Sequence, residues 1–116
     1  MLLSNIMKQD LGYNESAKKQ FLSKARSVLK SVAKELSLSD FDISKNKGGI
    51  AVSGEVSLKT DGLYIQVSQC LRDENLQVMY RSFDPQSNKH GSNNWMSAEA
   101  LETHSRINHI KKVAGL

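Results

Sequence analysis

The sequence predicts an α+β fold in which two helices pack on one face of an antiparallel sheet, as a two-layer sandwich. Residues 17–36 carry apolar side chains at every third or fourth position, which is the period of an amphipathic helix. Residues 41–83 instead alternate apolar with polar side chains between turn residues, which indicates three or four half-buried strands. A second helical segment follows from Ser97. The order helix, meander, helix defines the expected architecture.

The composition places limits on the class of protein. The chain has 116 residues, a length typical of one domain, and we expect a single domain over residues 1–116. No apolar run approaches the roughly 20 residues of a membrane span. Cys70 is the single cysteine and cannot form an internal disulfide, and the first residues lack the charged and apolar regions of a signal peptide. These observations predict a cytoplasmic protein without membrane association.

Helices are predicted at both ends of the chain. Residues 1–13 have no clear period and are expected to form an arm or a short helix. A helix is predicted over 14–36, because Asn14 is a good N-cap for the amphipathic stretch that follows. Ser97 is a second good N-cap and predicts another helix over 97–113.

The antiparallel sheet is predicted within residues 41–83. Its first long strand is expected over 50–58, where Ile, Val and Leu alternate with Ser and Glu. The Asp-Gly pair at 61–62 is a strong hairpin signal, because these residues tolerate the positive φ of a tight turn. Further strands are expected over 63–70 and 76–83.

The stretch 84–96 is predicted to be an exposed polar loop. Pro85 cannot donate a hydrogen bond to a ladder and restricts Asp84 before it, which favours the end of the last strand at this point. Ser, Asn, Lys, His and Gly fill most of the remaining positions until Trp95. A polar connection of this length is more often functional than a short connector is.

No catalytic or metal-binding constellation is found in the sequence. Metal sites need His, Cys or carboxylates at short, characteristic spacing, yet His90, His104 and His109 include no pair three or four residues apart. Cys70 and His104 could be written as nucleophile and base, but a lone cysteine on a half-buried strand is far more often a packing residue. We therefore expect a protein that is not an enzyme and that needs neither metal nor cofactor.

The excess positive charge of the chain is concentrated on the first predicted helix. That helix carries six basic and two acidic residues, and the difference of +4 equals the net charge of the whole chain. Four of the basic residues are spaced seven, four and four positions apart and form what we call the basic ridge: Lys19, Arg26, Lys30 and Lys34. The basic ridge is either a surface for phosphates or an acidic partner, or an ordinary solvated helix face.

A second candidate binding region surrounds the predicted loop. Arg pairs with phosphate, Asn reads polar edges and Trp offers a flat stacking surface, so these residue types suit recognition of nucleic acid or of a partner protein. The candidates are Arg72, Tyr80, Arg81, Lys89, His90, Asn93, Asn94 and Trp95. The sequence leaves an alternative open, in which Trp95 anchors the second helix to the core and the asparagines satisfy the loop backbone.

The uncovered face of the predicted sheet is the third candidate. The alternation of residues places there Ser53, Glu55, Tyr64, Gln66, Ser68, Gln77 and Arg81. RNA-binding sheets usually display several aromatic side chains, and here Tyr64 is the one clearly expected. Docking of a protein partner on this face, or on an edge strand, is at least an equal alternative, and pairing of two edge strands would give a homodimer.

The order helix, three strands, helix in a basic chain resembles the double-stranded RNA-binding domain. Members of that family place a lysine pair at the start of the second helix. Here Lys111 and Lys112 lie at the end of the chain, and Ser97 begins the helix instead. The chain also resembles, in topology alone, the single-strand-binding transcription cofactors.

Another resemblance is to small proteins encoded by phages and plasmids, and it rests on Leu63–Gln66, Tyr80–Ser82 and Gly91–Trp95. The size and the absence of catalytic residues are similar to those of anti-CRISPR and other anti-defence inhibitors. The resemblance implies a stoichiometric blocker that binds a host protein or nucleoprotein complex. The alternative, drawn from the residues themselves, is a nucleic-acid-binding module that uses the basic ridge and the region from Arg81 to Trp95.

Overall fold

A computed structural model describes residues 2–49, 52–69 and 76–116 of the chain. The helices are α1 (Leu3–Met7), α2 (Glu15–Glu35), α3 (Ala98–Thr103) and α4 (Ile107–Ala114). The strands are β1 (Asp42–Asn46), β2 (Glu55–Thr60), β3 (Leu63–Ser68), β4 (Gln77–Arg81), β5 (Phe83–Asp84), β6 (Lys89–His90) and β7 (Asn94–Ser97). Five strands form one antiparallel sheet in the order β1-β2-β3-β4-β7. The predicted α+β fold class is confirmed.

The long helix α2 covers the first strands of the sheet. Its N-terminus is capped by the Asn14 side chain, which accepts a hydrogen bond of 3.0 Å from the backbone N–H of Ala17. Its apolar stripe is buried, and the helix contacts β1 and β2. The predicted helix 14–36 is therefore observed over Glu15–Glu35, with residues 14 and 36 as its caps.

The hydrophobic core lies between the helices and one face of the sheet. Alternate positions along each strand point inward, because successive side chains of a strand leave opposite faces. The inward strand residues are fully or almost fully buried: Val56, Leu58, Leu63, Ile65, Val67, Val78, Tyr80 and Met96. Phe21, Leu29 and Val32 of α2 meet them from the helical layer without any exposed surface.

The short helix α1 is part of this packing, so of the two alternatives predicted for residues 1–13, an arm or a short helix, the structure has a short helix at Leu3–Met7. The backbone N–H of Leu3 donates to the Glu102 carboxylate at 2.9 Å, and Lys24 reaches the same carboxylate at 3.1 Å. The Gln69 side-chain amide donates to the carbonyl of Met7 at 2.6 Å. Contacts from α2, from α3 and from Gln69, the residue after β3, therefore hold the beginning of the chain in place.

The stretch predicted to be an exposed polar loop, 84–96, is exposed at most positions, but six of its thirteen residues lie in the strands β5, β6 and β7. β5 continues the direction of β4 after Ser82, and Phe83 lies opposite His90 in the small ladder of β5 with β6. The chain then returns as β7, which pairs with β4 and adds a fifth strand to the sheet. Residues 77–97 thus form one long hairpin whose arms are interrupted near Ser82 and at residues 91–93.

The turn of this hairpin explains why Pro85 does not end the sheet. The carboxylate of Asp84 accepts hydrogen bonds from the backbone N–H of Gln86 at 3.0 Å and from the Ser87 hydroxyl at 2.7 Å. Asn88 takes the left-handed conformation, with φ of 57°, that asparagine tolerates better than most residues. Proline lies inside a tight turn here, and the ladder resumes directly after it.

Two other predicted elements differ from the structure. The helix predicted over 97–113 is divided into α3 and α4, because His104 adopts the left-handed conformation with φ of 60° and ends α3. Of the strand predicted over 50–58, residues 50–51 lie outside the described residues; β2 begins at Glu55, and Val52 lies before it with 49% of its surface exposed. The cap predicted at Ser97 is present, since its side chain accepts a hydrogen bond from Ala100 at 3.0 Å.

Candidate functional site

The sheet face opposite the helices carries the candidate site, and we call it the open face. Antiparallel pairing places its side chains in rows that cross the sheet. One row contains Asp42, Lys59, Tyr64 and Arg81. The next contains Ser44, Ser57, Gln66, Met79 and Trp95. These rows bring together side chains from five strands of the sheet.

Trp95 is a surface residue of the open face and not an anchor of the core. Its side chain is 54% exposed, whereas the next residue, Met96, is 4% exposed and points into the core. Pairing of β7 with β4 places Trp95 opposite Met79, which is 9% exposed. A large aromatic ring is thus presented to solvent beside a methionine side chain.

Arg81 follows Met79 by two residues on the same face of β4 and is held by its neighbours. Its guanidinium carbon is 5.1 Å from the ring centroid of Tyr64, within the range of a cation–π contact. Its Nη1 donates to the Asn93 side chain at 3.3 Å, and the Tyr64 hydroxyl donates to Gln66 at 3.0 Å. Among the described residues, Arg81 Nε is buried without a hydrogen-bond partner.

A second aromatic position lies beyond Arg81, on β5. The Lys59 ammonium is 5.1 Å from the ring centroid of Phe83. The register places His90 opposite Phe83, so both rings share one side of the hairpin. The ladder continues there from the main sheet, because the backbone N–H of Gly62 donates to the Phe83 carbonyl at 2.9 Å. The open face therefore extends into the hairpin.

Charge is unevenly distributed over the described strands of the open face. The acidic side chains Asp42 and Glu55 lie on β1 and β2. The side with Trp95, Tyr64 and Phe83 carries Arg81, and the Lys59 ammonium contacts the Phe83 ring there. Cationic and aromatic groups alternate in this half, which suits a ligand with negative charge and flat rings.

The basic ridge is a separate surface. All four of its residues, Lys19, Arg26, Lys30 and Lys34, are exposed on α2, on the side opposite the buried stripe that faces the sheet. The open face is on the other side of the sheet. The structure therefore does not bring the basic ridge together with the region from Arg81 to Trp95.

The remaining predicted site residues have different surroundings. Tyr80 is fully buried, which corrects its predicted place at the surface, and its hydroxyl shares a hydrogen bond of 2.6 Å with His109 Nδ1. Asn94 donates to the carbonyls of Tyr80 and Ser92 at 3.3 and 3.2 Å, so it supports the backbone, as the alternative for the asparagines proposed. Lys89 is exposed on β6 opposite Asp84.

Two residues singled out in the sequence, Arg72 and Cys70, lie outside the described residues. Within the described part of the chain, no three His, Cys, Asp or Glu side chains are grouped to hold a metal ion. His104 shares a hydrogen bond of 3.1 Å with Ser31. None of the helices in residues 2–49, 52–69 and 76–116 has the length and apolar character needed to cross a membrane.

Two carboxyl groups among the described residues have a lowered pKa, and both lie outside the open face. Hydrogen bonds from Ser87 and from the Gln86 backbone lower the pKa of Asp84 in the hairpin turn. The hydrogen bond and the charge of Lys47, 3.0 Å away, lower the pKa of Glu15 at the start of α2. Both shifts reflect local turn and ion-pair geometry and point to no acid–base chemistry.

Sequence reasoning did not single out Lys59, Met79 and Phe83, which contribute cationic and apolar groups to the open face. The alternation of Met79, Arg81 and Phe83 is visible in the sequence and was a usable signal for a common face. The Asp-Pro pair at 84–85 obscures it, because this pair is typical of the end of a strand. A turn that starts at Asp84 and ends with Asn88 would have predicted the returning strand and the outward position of Trp95.

Comparison with protein-family models, with curated proteins and with solved structures finds no match for this chain. We therefore infer the function of the protein from the side chains of the open face. These are Trp95, Tyr64 and Phe83 interleaved with Arg81 and Lys59.

Proposed function

We propose that this protein is a non-enzymatic binding protein that holds single-stranded nucleic acid on the open face of its sheet. The observation that carries the proposal is the shared face of Trp95, Tyr64, Phe83, Arg81 and Lys59. Aromatic side chains stack with bases of any sequence, and Arg and Lys neutralise the phosphate backbone. The protein would thus bind strands with little sequence preference.

Accessibility of the bases favours a single strand over a duplex. Bases in a duplex are stacked on one another and present edges, whereas an unpaired strand offers the ring faces that Trp95 can contact. A duplex ligand would instead call for a surface of phosphate-binding cations, and the basic ridge that fits this description lies on the opposite side of the molecule. The open face is better matched to unpaired bases.

A second candidate function is favoured by the exposure of Trp95 beside Met79. Trp, Tyr, Arg and Met are enriched at the energetic centres of protein interfaces. β7 is also an edge strand of the sheet, to which a partner could add a strand. In this case the chain would act as a mobile-element accessory protein that blocks a host nucleoprotein complex, in the manner of an anti-CRISPR inhibitor.

The first experiment uses the intrinsic fluorescence of the protein. Trp95 is the single tryptophan of the chain, so its emission reports directly on the open face. Titration with a short single-stranded oligonucleotide is expected to quench this emission, and a duplex of the same sequence is expected to do so weakly. The affinity should fall as salt concentration rises, because phosphate neutralisation releases counterions.

Trp95→Ala is the decisive variant, measured by anisotropy of a labelled oligonucleotide. Loss of one stacking partner should weaken binding by about 5- to 150-fold. Tyr13→Ala is the control, because Tyr13 is 74% exposed and lies in the connection between α1 and α2. Thermal unfolding of both variants checks that they remain folded.

Two results would overturn nucleic-acid binding. One is undetectable binding of single strands at low salt, and the other is equal affinity of the wild type and Trp95→Ala. The second candidate would then be supported if a purified host nucleoprotein complex were inhibited at one-to-one stoichiometry by the wild type and not by the Trp95 variant.

A further inference from the structure

We propose that Arg81 binds the phosphate that joins two bases, one on each side of it, so that the smallest effective ligand is a dinucleotide step with a charged internal linkage. This inference rests on the proposed function and specifies the ligand of the same face. It distinguishes an oligonucleotide from a free base, a nucleoside or any other flat ring.

The rings lie on either side of Arg81. Met79, Arg81 and Phe83 are alternate residues along β4 and β5, so their side chains leave the same face about 6.5 Å apart. Trp95 lies opposite Met79 on β7, and His90 lies opposite Phe83 on β6. A strand laid along the hairpin would therefore meet Trp95 first, then Arg81, then Phe83 and His90.

The guanidinium is held in place and keeps unused hydrogen-bonding capacity. The Tyr64 ring lies 5.1 Å from it, and Asn93 accepts one of its hydrogen bonds at 3.3 Å. An arginine has five N–H donors, which match the oxygens of a phosphate in a forked geometry. Tyr64 and Asn93 are thus positioning residues that act through Arg81.

The charge of Arg81 is also free of a carboxylate partner within the described residues. Their salt bridges join Lys24 to Glu102 and Lys47 to Glu15. Asp42 shares the row of Arg81, but β2 and β3 lie between their strands. An anionic group of the ligand would therefore pair with the positive charge of Arg81.

The test compares two oligothymidylates of equal length. One has natural phosphodiester linkages, and the other has uncharged methylphosphonate linkages at its central positions. The wild type should bind the natural strand about tenfold more tightly, since a charge-assisted hydrogen bond is lost in the other. Tryptophan fluorescence measures both affinities.

Arg81→Gln should remove this discrimination and reduce the slope of log affinity against log salt by about 0.7. Arg106→Gln is the matched control, because Arg106 is an exposed arginine at the N-cap of α4, outside the open face and the basic ridge, and the discrimination should survive in it. Arg81→Lys retains the charge without the fork and should retain part of the discrimination. Asn93→Ala should reduce the discrimination while leaving stacking on Trp95 intact.

The outcomes separate the two proposals. If the wild type binds neither strand, the proposed function fails and this inference falls with it. If binding depends on Trp95 but Arg81→Gln weakens both strands equally, the proposed function stands and the role of Arg81 is refuted. Thermal unfolding of each variant identifies loss of structure. If the Gln variant is unfolded, the discrimination measured with Arg81→Lys tests the role of Arg81 instead.

Discussion

At the scale of single residues, Tyr80 is part of the interior framework of the protein. Its side chain has no exposed surface, and its hydroxyl is 2.6 Å from His109 Nδ1. The two rings meet edge to face, with centroids 5.7 Å apart and an angle of 86° between their planes. A buried hydroxyl requires a partner, and His109 supplies it from α4. The pair therefore joins α4 to β4.

Removal of this hydroxyl should destabilise the fold. Tyr80→Phe keeps the ring but leaves His109 without its partner, so we expect the free energy of unfolding to fall by about 0.5–1.5 kcal/mol. Tyr13→Phe, at a position that is 74% exposed, is the matched control and should change nothing. Urea denaturation measures both. Equal stability of the two variants would show that the Tyr80 bond does not contribute.

Lys18 is a charged residue with a buried side chain. It follows the buried Ala17 on α2 and is itself 1% exposed, with its ammonium group donating to the Gly49 carbonyl at 2.9 Å. The adjacent Lys19 is exposed. A lysine stem can line an apolar surface while its charged end finds an acceptor. One of the six basic residues of the helix therefore contributes little to a surface for partners.

At the scale of elements, the hairpin of β4 to β7 determines the open face. Without the turn at 85–88, Trp95 would follow a loop and its direction would not be defined by pairing. With the turn, β7 lies beside β4, and alternation sends Trp95 outward and Met96 inward. The hairpin thus creates the aromatic half of the candidate site, and the Asp84 carboxylate organises its turn.

The pKa of the Asp84 carboxyl depends on the hydrogen bonds of this turn. Hydrogen bonds from Ser87 and the Gln86 backbone lower its pKa. A carboxyl whose pKa is lower in the folded state adds stability above its unfolded pKa, and this contribution disappears as the pH falls through the folded pKa. We therefore expect the hairpin to loosen at acidic pH, below the usual titration range of aspartate.

Carbon NMR titration of the Asp84 carboxyl checks this expectation. Its midpoint should lie below that of an ordinary aspartate, and Ser87→Ala should raise it, because the largest cause of the lowered pKa, the hydrogen bond from the Ser87 side chain, is removed. Ser92→Ala changes an exposed serine near the other arm and should leave the midpoint unchanged. A midpoint that does not respond to Ser87→Ala would contradict the role of the hydroxyl.

At the scale of the whole molecule, the ends of the chain close onto the sheet. Glu102 of α3 contacts both Leu3 of α1 and Lys24 of α2. The end of α4 approaches the β2–β3 turn, where a Cβ at Gly62 would lie 2.5 Å from the carbonyl oxygen of Ala114. Helices and sheet are therefore joined at the tip of a hairpin as well as through the core.

A pair of glycine variants tests this closure. Gly62 and Gly115 both have positive φ, 92° and 77°, but a Cβ at Gly115 meets open space. Each change to alanine costs about 1–2 kcal/mol of backbone strain. Gly62→Ala should lower the free energy of unfolding by more than Gly115→Ala, because it adds a clash with Ala114. Equal losses in thermal or urea denaturation would exclude close packing at this point.

Much of the fold follows from local periodicity. The apolar repeat and the Asn14 cap were sufficient to predict α2. The Asp-Gly pair at 61–62 was sufficient to predict the β2–β3 hairpin. The division of the second helix was not predictable, because a single left-handed residue, His104, produces it without a glycine or proline signal. The continuation of the sheet past Pro85 was also not predictable. An Asp-Pro pair can begin a hairpin turn or end the last strand of a sheet, and the local sequence does not distinguish the two.

The sequence alone determined the α+β class, the long amphipathic helix and the alternation within each strand, because these depend on neighbours a few residues apart. The tertiary structure decided which strands are adjacent and therefore which side chains share a face. It placed Trp95 outward beside Met79, buried Tyr80 against His109 and separated the basic ridge from Arg81. Alternation assigns residues to sides of a strand, but the pairing of distant strands assembles those sides into one surface.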